Sequence, residues 1–259
     1  MNILCPHCQN ILSVEGNAFR CSSGHSFDIA RQGYVNLNLH NSQNTGDNVP
    51  MINARRDFLE KGYYSFLRDE VNEQLSEEDS LVDLACGEGY YTGAFRCKEK
   101  IGIDLSKQGL KIASRNDKST RYLLSSIFHC PLEDGCADKV VTIFAPVAKE
   151  EIRRILKPKG RFILVKPDVD HLFELKKAIY DDPYPNEVIP AELPGLKLIE
   201  ERAVSMKKDV GHEDMMNLFL MTPYCHTTSA QDKEKLEKID SLEISFSFLI
   251  DIYEKEETC

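Results

Sequence analysis

Four side chains near the start of the chain have the types and spacing of a metal site: Cys5-Pro6-His7-Cys8, then twelve residues, then Cys21-Ser22-Ser23-Gly24-His25. Two thiolates at C-x2-C spacing bind one ion from a tight turn, and Cys21 and His25 supply the other two corners of a tetrahedron. Three soft thiolates with one imidazole favour zinc. Such a set leaves no open coordination position, so the expected role is structural. His7, between the first two cysteines, is a competing ligand; His25 completes the second turn. The other reading is a redox C-x-x-C, which belongs in a βαβ pattern that is missing around Cys5. A segment this short buries too little apolar surface to fold alone, so the metal would supply the missing stability.

A second constellation follows at "LVDLACGEGYYTGAF", residues 81–95. An apolar run carrying Asp83, expected with the turn along the cofactor-binding rim, breaks into Ala85-Cys86-Gly87-Glu88-Gly89, with alanine where such loops commonly open with glycine. Gly87 and Gly89 let a ligand approach the backbone. Asp104, fifteen residues after Gly89, is placed to accept hydrogen bonds from two ribose hydroxyls; its alternative role is that of an acid at a helix N-terminus. Ser125 and Ser126 are candidates for an adenine edge. A dinucleotide would prefer G-x-G-x-x-G. Here Thr92 takes the third glycine position and Glu88 would repel a pyrophosphate. An adenosine carrying a cationic amino-acid moiety suits these residues better, which points to S-adenosylmethionine.

The elements that must position these residues alternate. Strands are predicted at 81–85, 100–103, 121–124, 139–144 and 161–165, and helices at 90–97, 106–114, 148–156 and 171–179. This repeated βα pattern implies a doubly wound, Rossmann-like parallel sheet covered on both faces. The shortness of 95–101 predicts a trimmed second strand, and Pro158-Lys159-Gly160 predicts a sharp turn. Beyond residue 190 we expect a strand near 197–204, a helix near 213–220 and a last strand near 242–253. Before the sheet lies a bridge: a mobile connection at Asn41 to Asn48, then a helical stretch from Ile52 broken at Gly62. The domains expected are 1–38, the metal-binding ribbon; 39–78, the linker and helical bridge; and 79–259, the cofactor domain.

The 259 residues, 42% apolar with 14 glycines and 11 prolines, describe a globular protein. No stretch approaches the ~20 apolar residues of a membrane span, and the first residues lack the features of a secretory signal. A cytoplasmic protein is expected, with the remaining six of the nine cysteines reduced and mostly buried. A net charge of −10 argues against whole-surface binding to nucleic acid but leaves room for a local basic patch.

The segments "CPHC…CSSGH", "FDIARQGYVNLNL", "ARRDFLEKGYYSFL", "DLACGEGYYTGAF", "IGIDLSK", "FAPVAKEEIRRILKPKG", "HLFELKKAIY" and "LMTPY" occur in this order. Together they resemble the bacterial 23S rRNA (guanine-N1)-methyltransferases over nearly the whole chain. The resemblance implies a class I S-adenosylmethionine-dependent methyltransferase domain with a small N-terminal zinc ribbon that helps recognise an rRNA hairpin. It implies zinc on Cys5, Cys8, Cys21 and His25, and cofactor contacts from Gly87 and Glu88. Tyr64 and His171 would lie near the cofactor, and two subunits would pair to frame an RNA cleft. Arg55 and Arg56 are candidate phosphate contacts, and Lys207 and Lys208 share that reading. Phe144-Ala145-Pro146 stands where many amino-group methyltransferases carry an Asn/Asp-Pro-Pro-aromatic motif, so no side-chain acceptor is found there. A base would come from backbone carbonyls, Glu88, His171, Asp168 or solvent, and the catalytic group is unassigned. The alternatives are a zinc-containing RNA- or cofactor-binding module without methyltransferase activity, and a methyltransferase for another substrate.

Overall fold

The computed structural model describes residues 1–39 and 48–257. The connection expected at 41–48 therefore lies, apart from Asn48, outside the described residues. The chain begins with a small antiparallel sheet of β1 (Ser13–Glu15), β2 (Ala18–Arg20) and β3 (Ser26–Asp28). Strands of this length cannot bury a core among themselves. They lean on the rest of the molecule instead: Ile3, Leu12 and Phe19 share one apolar cluster with Ile127, Cys130 and Leu132. The Leu4 N–H donates to the Pro131 carbonyl at 2.8 Å, beside a bridge between Ile3 and Leu132.

The chain leaves this ribbon through β4 (Val35–Asn36). Helices α1 (Val49–Glu60) and α2 (Ser65–Asn72) follow. The Asn48 side chain accepts from the Met51 N–H at 3.0 Å and caps α1, with Pro50 in the first turn. The expected break at Gly62 is present, and its φ of +78° explains the residue. The alternating segment comprises β5 (Ser80–Leu84), β6 (Glu99–Asp104), α3 (Lys107–Asn116), β7 (Thr120–Leu124), β8 (Ala137–Ile143), α4 (Lys149–Ile155), β9 (Leu156–Pro167) and α5 (Phe173–Ile179). The chain closes with β10 (Leu196–Gly211), α6 (His212–Leu220), α7 (Ala230–Leu236) and β11 (Ser241–Lys255).

The eight-stranded sheet runs β10-β11-β9-β8-β5-β6-β7-β4, parallel from β9 to β4, with β11 and β10 added antiparallel. Alternate residues face opposite sides. Val82, Val140, Phe162 and Leu164 meet α4 and the ribbon, while Leu81, Val141, Ile163 and Val165 meet α1, α2, α5 and α6. Both faces are covered, which is why these strands are near-continuous apolar runs. Each such side chain removed from water contributes ~1.5–3 kcal/mol. The ribbon thus serves as part of one helical layer. The order reverses between β5 and β8, the switch point at which doubly wound sheets bind ligands.

Four expectations need correcting. The helix predicted at 90–97 is only a 3-10 turn, Thr92–Ala94. Thr92 is fully buried, its hydroxyl held by Asp83 and its carbonyl accepting from Lys100 Nζ at 3.0 Å, so the backbone is pinned before a helix can propagate. The short connection is accommodated there, and β6 keeps its full six residues instead of being trimmed. Pro158-Lys159-Gly160 is a bulge inside β9: the register jumps from Ala137↔Leu156 to Lys139↔Arg161, with Lys159 at φ +61°. The two final strands are also longer than expected and form a 16- and 15-residue ribbon.

Candidate functional site

The first site is the knuckle pair. Cys5 Sγ and Cys21 Sγ lie 3.5 and 3.4 Å from His25 Nδ1, and Cys8 Sγ lies 3.6 Å from Cys21 Sγ. All four atoms fall within 4.8 Å of one another. A tetrahedron with Zn–S of ~2.3 Å and Zn–N of ~2.0 Å has edges of roughly 3.5–3.8 Å, so the four residues fit a zinc ion. Two tight turns build it: the Gln9 N–H donates to the Cys5 carbonyl at 2.8 Å, and the Gly24 N–H to the Cys21 carbonyl at 3.0 Å. The backbone N–H of Asn10 stabilises the Cys8 thiolate and brings its pKa down to about 6, toward the ligating form. His7 stands outside the convergent set, its ring 4.8 Å from that of His25 and stacked at 6.0 Å on Phe27.

The second site lies at the carboxyl ends of β5, β6, β7 and β8. Ala85 opens the turn at φ +67°, followed by Gly87 at +54° and Gly89 at +78°. The usual glycine at the first position is therefore a backbone requirement, and Ala85 meets it under strain. The two glycines differ in role. A side chain on Gly89 would sit 2.8 Å from Ala113 Cβ and Tyr122 Oη, so its open face is filled by protein. A Cβ on Gly87 would meet only Arg55 Nη1, at 3.7 Å, which leaves a cradle for a ligand. Behind the turn, α3 packs on the Gly87 carbonyl so closely that a Cβ on Gly109 would lie 2.9 Å from it.

Asp104 holds this arrangement from the end of β6. Its Oδ2 accepts the Gly87 N–H at 2.8 Å and its Oδ1 the Ser106 N–H at 2.6 Å. Ser106 caps α3 by accepting from the Gly109 N–H at 3.1 Å. Asp104 thus serves the helix start, and a carboxylate with several lone-pair positions can take ribose hydroxyls as well. Asp83 is 3% exposed and bonded to Thr92, so it fixes the turn from behind; burial pushes its pKa up to about 7. Ser125 and Ser126 follow β7, with the Ser125 N–H on the Asp104 carbonyl at 3.1 Å and Ser126 Oγ accepting from the Phe128 N–H at 3.2 Å. Glu88 lies 3.6 Å from Arg55, which α1 brings over the turn. Arg56 is paired with Asp57 at 2.7 Å. A cavity of about 300 Å³ opens between α1, the turn and α3; it touches Glu88 and Gly89 but neither Asp104 nor the serines, so it lies beside the strand-end rim.

Across the switch point stands a cluster of rings. Tyr64, buried at the start of α2, lies 6.2 Å from both His171 and Phe144 and 5.0 Å from Phe248, centroid to centroid. The Ser247 N–H donates to His171 Nδ1 at 3.3 Å. Since a backbone N–H can only donate, the ring proton sits on Nε2. Burial, aided by Lys176, pushes the His171 pKa down to about 3, so the ring is neutral and its basic nitrogen is occupied. Asp168 accepts from the Val169 N–H at 2.7 Å and from Ser247 Oγ at 3.0 Å. Nearby, the buried Tyr91 hydroxyl has no hydrogen-bond partner among the described residues, although Tyr64 and Glu88 influence it. An open glycine cradle, a carboxylate at the rim and an unpartnered hydroxyl fit an adenosine ligand with a polar tail.

Lys208 donates to the Gly62 carbonyl at 2.9 Å and Lys207 pairs with Glu243 at 3.6 Å. Sequence reasoning missed Ser247 and Phe248, because β11 reaches the site across the sheet from far along the chain and neither residue belongs to a motif.

Comparison with known proteins adds names. A zinc-ribbon family described as "RlmA, N-terminal" matches residues 3–39, and one described as "Methyltransferase domain" matches residues 82–164. A 23S rRNA (guanine(748)-N(1))-methyltransferase of Streptomyces fradiae is 34% identical, the alignment covering 68% of this chain and 66% of that one. A putative 23S rRNA (guanine-N(1)-)-methyltransferase of Micromonospora griseorubida is 32% identical over 67% and 68%. Another, of Bacillus subtilis, is 33% identical over 69% and 68%. The chain thus spans about two thirds of the length of these relatives.

Proposed function

Because the chain belongs to the family of 23S rRNA (guanine-N1)-methyltransferases, we propose that it methylates N1 of a guanine in a 23S rRNA hairpin, using S-adenosylmethionine. The observation that carries this reading is the switch-point turn, with Asp104 tied to Gly87 at its rim, in a molecule whose zinc ribbon shares the same core. In this reading Gly87, Glu88 and Gly89 border the cofactor, Asp83 holds their turn from behind, and Asp104 takes the ribose hydroxyls. Ser125 and Ser126 face the adenine, while Tyr64 and His171 border the reactive end. Cys5, Cys8, Cys21 and His25 hold a structural zinc ion that stiffens the ribbon.

S-adenosylmethionine, when bound, supplies a methyl group on a positively charged sulfur. The chain's task is to hold N1 in line with the methyl–sulfur bond, and such positioning is the main source of acceleration. The N1 proton must also leave. His171 is a poor acceptor, because its lone pair is engaged by the Ser247 N–H. Glu88 is committed to Arg55 and Asp168 to Val169 and Ser247. We therefore assign the proton to solvent. Arg55 and Arg56 flank the turn as contacts for RNA phosphates. Two copies pairing around the hairpin, a division at residues 38 and 78, and a cytoplasmic site of action complete the reading. No helix among the described residues is long and apolar enough to cross a membrane.

The test is transfer of labelled methyl groups to 23S rRNA from a strain lacking the modification, with the primer-extension stop mapped to one guanine. Cofactor binding without incorporation would favour the binding-module reading. Incorporation only into other acceptors would favour a different substrate.

A further inference from the structure

We infer that Phe144 is the platform on which the target guanine stacks once it has been turned out of the RNA; this rests on the proposed function. The sheet order places the residue. Asp104 ends β6 and Ser125 follows β7, so the adenosine is expected on that side of the switch point, with its reactive end toward β5 and β8. The pairing Leu84↔Thr142 carries the chain after β8 alongside Ala85 and Cys86. Phe144 is thus the first side chain beyond β8, beside the turn and against the rings of Tyr64, at 6.2 Å, and Phe248, at 5.2 Å.

Two features set it apart from that cluster. Tyr64, His171 and Phe248 are buried, whereas Phe144 is 41% exposed. Its backbone has φ +56°, an outlier for a bulky residue, and is held there by its N–H on the Val165 carbonyl at 3.1 Å. A glycine would meet the turn without strain and an alanine would expose less apolar surface. Strained residues that persist cluster at functional sites. An enzyme acting on the N1 edge of guanine must unstack the base. A solvent-facing ring supported from behind by Tyr64 and Phe248 supplies a replacement π face.

The experiment measures kcat/KM for unmodified 23S rRNA, S-adenosylmethionine affinity by calorimetry, and melting temperature, for wild type, Phe144→Gly, Phe144→Leu and Phe144→Tyr. Loss of one base–aromatic stack corresponds to a fall of roughly 5- to 150-fold. We expect that fall in kcat/KM for the glycine and leucine variants, an unchanged cofactor affinity, and tyrosine within about twofold of wild type. If the glycine variant does not fold, the leucine variant, apolar and of similar bulk but without a π face, carries the comparison. Leucine activity equal to that of wild type, or a parallel loss of cofactor affinity, overturns the stacking role while leaving the proposed function in place. A wild-type protein that methylates no guanine N1 overturns the function itself.

Discussion

Replacing Asp104 by asparagine changes few atoms and should damage both stability and cofactor binding. The carboxylate accepts two backbone hydrogen bonds, from Gly87 at 2.8 Å and Ser106 at 2.6 Å. An amide has one acceptor, so its NH2 must face one of those two donors, leaving that N–H unpaired. An unsatisfied donor costs ~1–3 kcal/mol, and the surviving bond weakens because its acceptor is no longer charged. In a chain of this size each kcal/mol moves the melting temperature by about 2–4 °C, so a fall of roughly 2–12 °C is expected. Binding suffers separately. Ribose hydroxyls lose a charged acceptor worth ~1.5–3 kcal/mol, which corresponds to S-adenosylmethionine affinity weakened by about 10- to 150-fold. Calorimetric titration and thermal melting of the same preparations measure the two effects. Full affinity in a variant with a lowered melting temperature would leave Asp104 as a helix-start acid alone and refute its ribose role.

Ala85→Gly should stabilise the protein by about 0.5–1 kcal/mol: relief of a left-handed alanine, worth ~1–2 kcal/mol, exceeds the extra freedom glycine has when unfolded. A lower urea midpoint would contradict the strained backbone. Cys8→Ser should lower zinc content and rRNA methylation together, whereas unchanged zinc stoichiometry would remove Cys8 from the ligand set. His171 supplies a pH test. Its folded pKa, about 3, lies below its unfolded value of ~6.5, so the folded state resists the proton. Stability should therefore fall as pH drops from about 6.5 toward 3, by on the order of 1 kcal/mol per unit. His171→Gln should flatten that slope, and parallel curves for the two proteins would show that the buried imidazole does not drive it.

Much of the site was legible because its chemistry depends on local spacing. Three thiolates and one imidazole on two tight turns announce a zinc site in a string of 25 residues, since each turn forms from its own residues. The parallel strands were legible because both faces are covered, which writes apolar runs such as Leu81-Val82 and Val140-Val141 into the chain. The helix expected after Gly89 shows where local reasoning stopped. Its residues suit a helix, but the bonds from Asp83 and Lys100 to Thr92 come from two strands and outweigh propensity. Val35-Asn36 carries too short a pattern to be read as a strand, and only the exposed edge of β7 makes it one.

By itself, then, the sequence determined the alternation of strands and helices, the knuckle and the composition of the nucleotide turn, all properties of neighbouring residues. The tertiary structure decided which glycine of the turn faces protein and which is left open, because that depends on where α3 and Tyr122 lie. It decided the proton position on His171, through an N–H that arrives 76 residues later on an antiparallel strand. It also decided that Phe144, alone among the described rings around Tyr64, faces solvent. Chain order carries no signal for such contacts, since each arises only when distant segments pack.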